Sequence, residues 1–284
     1  MVEIRFVKGH GTQNDFVLLP DEPATLDLTT SRVKALCDRA SGIGADGVLR
    51  VVPTSSVGDV VDQADVAPWF MDHRNADGSL PQMCGNGVRV FVRYLLEAGL
   101  ATGPTVTVAT RGGAREVTVD GGTYAVDMGE AALLAGTDVP LVTVGTRTWP
   151  AVGVHVPNPH AVVFVDDLGD AGRLLDAPVV TPRTVFPDGV NVEFVVPLAT
   201  DRVAMRVFER GVGETRSCGT GACAAVWAWR REQPALDDAP RAVSVDVPGG
   251  SVVVTERVDG HLILSGPAVI VARGALDPNW WASR

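Results

Sequence analysis

The chain has 284 residues, enough for two domains of ~150 residues each, and its 46% hydrophobic content can supply a core to both. A formal net charge of −10 and a pI near 4.9 argue against nucleic acid or an anionic membrane surface as a partner. Four cysteines in a chain this long do not make a disulfide framework.

The N-terminus has no basic stretch followed by an apolar core, and no apolar run approaches the ~20 residues of a membrane helix. A soluble, cytoplasmic protein is expected. Thr29 to Ala40 reads as a helix, with Thr29 or Thr30 as its cap ahead of Val33, Leu36 and Cys37. Val88 to Ala98 reads as a second, stopped by Gly99. Short β-branched runs bounded mostly by Gly, Pro or Asp follow: 105–109, 139–144, 192–196, 243–247 and 252–255. Between the runs 192–196 and 243–247 lies a third helix, Ala222 to Arg231, ending before Pro234. The second and third helices are apolar almost all round, from Val88 to Leu96 and from Ala222 to Trp227. A helix without a broad polar face is normally buried on every side, so each half predicts a sheet wrapped around a central helix. The boundary falls in Gly129 to Pro140, giving domains 1–131 and 132–267. The terminal segment 268–284, with Asn279-Trp280-Trp281, is too apolar to dangle and is expected to pack on the first domain.

The halves read as repeats. Asn14-Asp15-Phe16 resembles Asn158-Pro159-His160, Asp46-Gly47-Val48 resembles Asp188-Gly189-Val190, and Cys84-Gly85-Asn86-Gly87 resembles Cys218-Gly219-Thr220-Gly221, at offsets of 144, 142 and 134 residues. That period is too long for a solenoid and implies two similar domains.

The third match carries chemistry. Two cysteines, each framed by glycines at a helix start, form a symmetric pair. Such a pair suits a reaction that removes a proton from one face of a carbon and returns one to the other, a cofactor-independent epimerisation or racemisation. A helix N-terminus favours a thiolate and also binds carboxylates. Lysine is nearly absent, Lys8 and Lys34 being the two, and neither lies near these motifs to serve as a Schiff base. Cys-Gly-x-Gly lacks the paired spacing of zinc ligands, so no metal and no cofactor are expected. Cys37 and Cys223 read as small buried hydrophobes. Asp77-Gly78 reads equally as a turn or as part of the site. Glu209-Arg210 is suited to reading the ammonium and carboxylate of an amino acid, an ordinary ion pair being the alternative. His160, near the site by the repeat alignment, is a candidate modulator of a thiol.

With these residues in hand, the chain resembles the diaminopimelate epimerases, in the pyridoxal-phosphate-independent racemase group. The resemblance rests on Gly11-Thr12-Gln13-Asn14-Asp15-Phe16, Gly42 to Gly47, Asn75 to Ser79, Met83 to Arg89, Asn158-Pro159-His160, Phe186 to Asn191 and Glu209 to Gly221; the first of these looks actinobacterial. It implies an α+β fold of two pseudo-symmetric domains, each a mixed sheet curled around a central helix, with the active site in the cleft between them. It implies Cys84 and Cys218 as the acid/base residues and His160 and Glu209 as modulators of their pKa values. It also implies Asn14, Asn75, Gly85, Asn86, Asn158, Asn191, Glu209, Arg210, Gly219 and Thr220 as substrate-binding residues. The implied reaction interconverts LL- and meso-diaminopimelate for lysine and peptidoglycan synthesis, in a protein considered as a homodimer. One departure is Gly47, where many relatives carry Gln. Rival readings are a proline or hydroxyproline racemase of the same group, a non-catalytic amino-acid-binding protein and a redox dithiol protein.

Overall fold

The N-terminal strands Arg5–Gly11 and Asn14–Pro20 form an antiparallel hairpin across the turn at Thr12 and Gln13, both with positive φ. The computed structural model describes residues 3–134, 139–232 and 241–284. Part of the expected boundary, and the proposed helix stop at Pro234, lie outside them. The chain divides into two units, Met1–Val126 with Pro267–Arg284, and Asp127–Gly266.

In the first unit a five-stranded sheet runs in the order Val269–Ala275, Arg5–Gly11, Asn14–Pro20, Gly47–Pro53, Trp69–Asn75. The pairing of Asn14–Pro20 with Gly47–Pro53 is parallel and the others are antiparallel. Four successive residues of the second strand in sequence, Phe16 to Leu19, are buried, because helices cover both faces of it. Alternation sends Val17 and Leu19 to one face, where they meet Val33, Leu36 and Cys37 of helix α1 (Thr30–Cys37) and Trp281. Helix α2 (Gly85–Glu97) lies against the other face. It is buried from Gly85 to Val92 and again at Tyr94 and Leu95. Strand Thr105–Val108 also packs on it.

α1 is capped by the Thr29 side chain, as the sequence predicts, but stops at Cys37, because Asp38 is extended and caps the end. α2 begins three residues before the expected Val88, because Cys84 itself is its N-cap. Gly99, at φ 69°, ends it. The terminal tryptophans belong to a short helix, α4 (Pro278–Ala282), capped by Asp277; α3 is the helix Gly219–Glu232 of the second unit.

The main sheet of the second unit runs Val152–His155, Pro159–Phe164, Asn191–Ala199, Arg202–Glu209, Arg241–Val247, Gly250–Glu256, and α3 packs against these strands. Residues Ala222 to Trp229 of α3 are all buried. A smaller, separately hydrogen-bonded sheet, Arg147–Pro150, Leu141–Val144 and Val179–Thr181, packs on the main one, with Val142 and Trp149 against Val163 and Phe194.

The first four of those main strands repeat the pairing pattern of the first unit: antiparallel, parallel, antiparallel. Register makes the correspondence residue-specific. Phe16 pairs with Gly47 and His160 pairs with Asn191, both in parallel ladders. Gly47 therefore corresponds to Asn191, a spacing of 144, and the sequence match of Asp46-Gly47 with Asp188-Gly189 is two residues out of structural register. Leu49 corresponds in the same way to Glu193.

Candidate active site

Each cysteine stands at the head of its unit's buried helix. Cys84 is extended (φ −143°, ψ 112°), and its Sγ accepts the Gly87 N–H at 3.4 Å. Cys218 Sγ accepts the Gly221 N–H at 3.4 Å, and Thr220 Oγ1 is 3.5 Å away. The sulfur thus takes the role a serine or aspartate oxygen has at an ordinary N-cap. It satisfies one otherwise orphaned N–H and sits in the positive field of the helix end.

In the first unit Cys84 is half-buried, with Sγ 3.7 Å from Asn14 Oδ1. Asn86 Nδ2 donates to the same oxygen at 3.3 Å, and Asn14 Nδ2 donates to Asp46 at 2.8 Å. This brings Asn14, Cys84, Gly85 and Asn86 together. Behind them Asp46 pairs with Arg39, and Asp15 with Arg39 and Lys8. Burial alone would raise Asp15, but hydrogen bonds from Arg39 and Lys8 outweigh it and hold its carboxyl at about 2. Asn75 stands opposite Gly47 in the ladder and donates to Ser79 Oγ. Asp77-Gly78 forms a turn, with the Ser79 N–H on the Asp77 carboxylate and Gly78 at φ 86°. At Gly47 a side chain has no room: a Cβ would lie 2.7 Å from the Arg74 carbonyl oxygen and 3.1 Å from His73 Nε2.

Sequence reasoning placed no role on Arg89. It is fully buried, five residues after Cys84. Its guanidinium donates to Pro267 O (2.9 Å), Thr12 Oγ1 (3.1 Å) and Asn86 Oδ1, and its Nε has no partner. Among the described residues no carboxylate pairs with it. Burial lowers its pKa to about 10, and the Cys84 thiolate is the charge that pulls in the other direction.

The second unit presents the opposite electrostatics. Buried His160 places Nδ1 2.7 Å from Glu193 Oε1 and Nε2 2.9 Å from Asn158 Oδ1. Glu193 is also fully buried, and its Oε2 has no partner. It lies under the first turn of α3: a Cβ on Gly221 would be 2.8 Å from Glu193 Oε1 and 3.3 Å from Cys218 Sγ. The corresponding space under Gly87 is filled by Leu49 and Phe16. Glu209 accepts from Thr215 Oγ1. Burial, then the negative charges of Glu209 and Glu193, push the Cys218 thiol well above its ordinary value, against the opposing hydrogen bonds from Thr220 and Gly221. The helix-end field favours a thiolate; at Cys218 desolvation and two carboxylates outweigh it. Glu193 was missed in the sequence, where the one signal was a lone carboxylate inside the apolar run 192–196.

Asn191 Oδ1 accepts the Arg210 backbone N–H at 2.8 Å. The Arg210 guanidinium donates to the carbonyls of Asp188 and Gly189, at 2.9 and 3.4 Å. It lines a cavity of about 420 Å³ with Arg183, Phe186, Val190 and Phe208. Cys37 and Cys223 lie buried in apolar surroundings, where burial pushes Cys37 up to about 12 and Cys223 higher still.

Two units of one topology, each with a cysteine capping a buried helix, define a duplicated fold class. Solved structures share it over nearly the whole chain. A Bacillus anthracis phenazine biosynthesis protein of the PhzF family superposes with TM-score 0.67 at 17% identity, covering 98% of this chain and 100% of that one. A hydroxyproline epimerase from Agrobacterium vitis superposes with TM-score 0.63 at 16% identity, covering 98% and 94%. Within that class the sequence is specific. The family model for diaminopimelate epimerase matches residues 6–134 and 152–271. A diaminopimelate epimerase of Streptomyces coelicolor is 54% identical over 98% of this chain and 96% of its own length. The chain belongs to the diaminopimelate epimerase family.

Proposed function

We propose that this protein interconverts LL- and meso-2,6-diaminopimelate, with Cys84 and Cys218 as the two acid/base groups. One cysteine, as thiolate, takes the α-proton and becomes a thiol. The other, as thiol, gives its proton to the opposite face of the carbanion and becomes a thiolate. The reverse reaction exchanges the roles. The observation that carries this reading is the matched N-cap geometry of the two sulfurs, each 3.4 Å from an N–H of the first turn of a buried helix.

The backbone N–H groups of Gly85, Asn86, Gly219 and Thr220 are the donors we assign to the α-carboxylate. Their pre-set orientation stabilises the charge that develops as the α-proton leaves. Asn14, Asn75, Asn158, Asn191, Glu209 and Arg210 are assigned to the rest of the substrate. Arg210 suits the distal carboxylate, because a guanidinium held among the described residues by backbone carbonyls keeps its charge available for two parallel hydrogen bonds. Glu209 raises the Cys218 thiol directly, and His160 acts on that site through Glu193. The reading places the reaction in the cytoplasm, in lysine and peptidoglycan precursor synthesis, and the protein as a homodimer. Light scattering tests the last point against a chain mass of 29.8 kDa.

The deciding experiment incubates the pure protein with LL-diaminopimelate in D₂O and follows it by chiral analysis. Formation of the meso isomer with deuterium at one α-carbon is expected. Turnover of proline or hydroxyproline in place of diaminopimelate would move the protein to another reaction of the same class. Binding without exchange would make it a binding protein.

A further inference from the structure

The two helix heads share their geometry and differ in the charge buried beneath them. Resting on the acid/base reading above, we infer that Arg89 is a positioning residue: its buried guanidinium is the counter-charge of the Cys84 thiolate, so that Cys84 ionises at lower pH than Cys218 and is the base of the resting protein.

A cation out of water is costly unless an anion or a full set of acceptors meets it. Arg89 has three neutral acceptors, an unpartnered Nε and no carboxylate among the described residues. One of those acceptors is the side chain of Asn86, whose amide nitrogen reaches the Asn14 oxygen that also contacts Cys84 Sγ. Two side chains, Asn86 and Asn14, therefore link the guanidinium to the sulfur. The neighbouring charges of this unit each meet at least one of opposite sign. Lys8, Arg39, Asp15 and Asp46 form a closed network. Asp72 is shared by Arg50, Arg74 and Arg111. Arg93 and Arg273 pair with Glu97 toward the other end of α2. Burial holds His73 at about 4, hence neutral. Arg89 differs from these in meeting no carboxylate among the described residues, and the ionised thiol supplies the anion.

In the second unit the helix position five residues after the cysteine is Cys223, uncharged and buried. The groups facing Cys218 are Glu209, Glu193 and, through Glu193, His160. Arg206 is paired with Glu214, and Arg230 and Arg231 with Glu256 at the far end of α3. The charges that act on Cys218 are the carboxylates of Glu209 and Glu193, whereas Arg89 is the charge that couples to Cys84. The chain has thus given one thiol a buried cation and the other a buried carboxylate.

The test labels the intact protein with iodoacetamide across a pH series and quantifies Cys84 and Cys218 separately by peptide mass spectrometry. In the wild type the labelling midpoint of Cys84 should lie at least about one pH unit below that of Cys218, the shift expected of one nearby opposite charge. Arg89→Met should raise the Cys84 midpoint by about a unit, leave that of Cys218 in place, and be rescued by Arg89→Lys. Equal or inverted midpoints in the wild type would overturn the inference whether or not the variants fold. An unmoved Cys84 midpoint in folded Arg89→Met would overturn it as well. Deuterium exchange on diaminopimelate is a separate readout: its absence with the thiol order intact would sink the proposed function and leave Arg89's role standing.

Discussion

Gly87 and Gly221 occupy the same position, three residues after each cysteine, and the structure predicts opposite responses to alanine. At Gly221 the new methyl would stand 2.8 Å from Glu193 Oε1 and 3.3 Å from both Glu193 Cγ and Cys218 Sγ. The carboxylate cannot swing aside, because it is fully buried and held 2.7 Å from His160 Nδ1. Forcing it back by about half an ångström is overpacking of a tight core, which costs ~1–3 kcal/mol. Alanine returns up to ~1 kcal/mol as the better helix former, leaving a net loss of up to about 2 kcal/mol. At Gly87 the same methyl would meet Leu49, Phe16 and the Cys84 Cβ at 3.5–3.6 Å, ordinary contact distances, so the helix-forming gain stands alone. Thermal unfolding of purified Gly221→Ala and Gly87→Ala against wild type checks this. At ~2–4 °C per kcal/mol for domains of this size, Gly221→Ala should melt several degrees lower and Gly87→Ala at or slightly above the wild-type temperature. Equal shifts in the two variants would refute the reasoning, since it rests wholly on what lies beneath each helix.

Cys84→Ala and Cys218→Ala should each abolish epimerisation with the fold retained by circular dichroism, because one group cannot serve both faces of a carbon; appreciable turnover in either variant would sink the two-base assignment. Arg210→Met should lower kcat/KM for diaminopimelate roughly ten- to a hundredfold, the worth of a charge-assisted contact, while both thiols still react with iodoacetamide; full activity would make Arg210 a brace for the 188–189 turn. His73 sets a pH dependence. Its folded pKa of about 4 lies below the unfolded value near ~6.5, so the unfolded chain binds more protons between them. Stability from this group is complete above ~6.5 and falls by about 3 kcal/mol as pH drops toward 4. Urea midpoints of His73→Phe, a shape that keeps the edge contact with Phe16, should show a shallower decline between pH 7 and 4 than wild type, and parallel declines would contradict it.

Both buried helices were legible in the sequence because each is apolar all round, a pattern that depends on no partner. Their starts were legible through the glycine-framed cysteines, read as standing at helix starts, but the apolar pattern put the first helical residue three positions late in each, because it begins one turn after the cap. The duplication was legible through its motifs, yet Asp188-Gly189 drew the alignment two residues away from the ladder, where Asn191 takes the place of Gly47. Cys84 and Cys218 were readable from their frames. Glu193 and Arg89 were not, because what distinguishes them is burial beside groups distant in sequence. Glu193 meets His160 across a parallel ladder, and Arg89 meets the carbonyl of Pro267 at the far end of the chain. Local pattern has no access to such pairings.

The first unit is discontinuous, since Val269–Ala275 is the edge neighbour of Arg5–Gly11. During synthesis the N-terminal hairpin leaves the ribosome first and then waits for its last strand while some 250 residues are added. Over that interval the edge of Arg5–Gly11 is an open row of N–H and C=O groups, a template for strand capture by neighbouring nascent chains. The Asp127–Gly266 unit, contiguous in sequence, has no such dependence and can close while the chain is still tethered. Translation speed on the way to Val269–Ala275 therefore bears on yield in a way that no property of the finished fold reveals: slow passage prolongs the exposure of Arg5–Gly11.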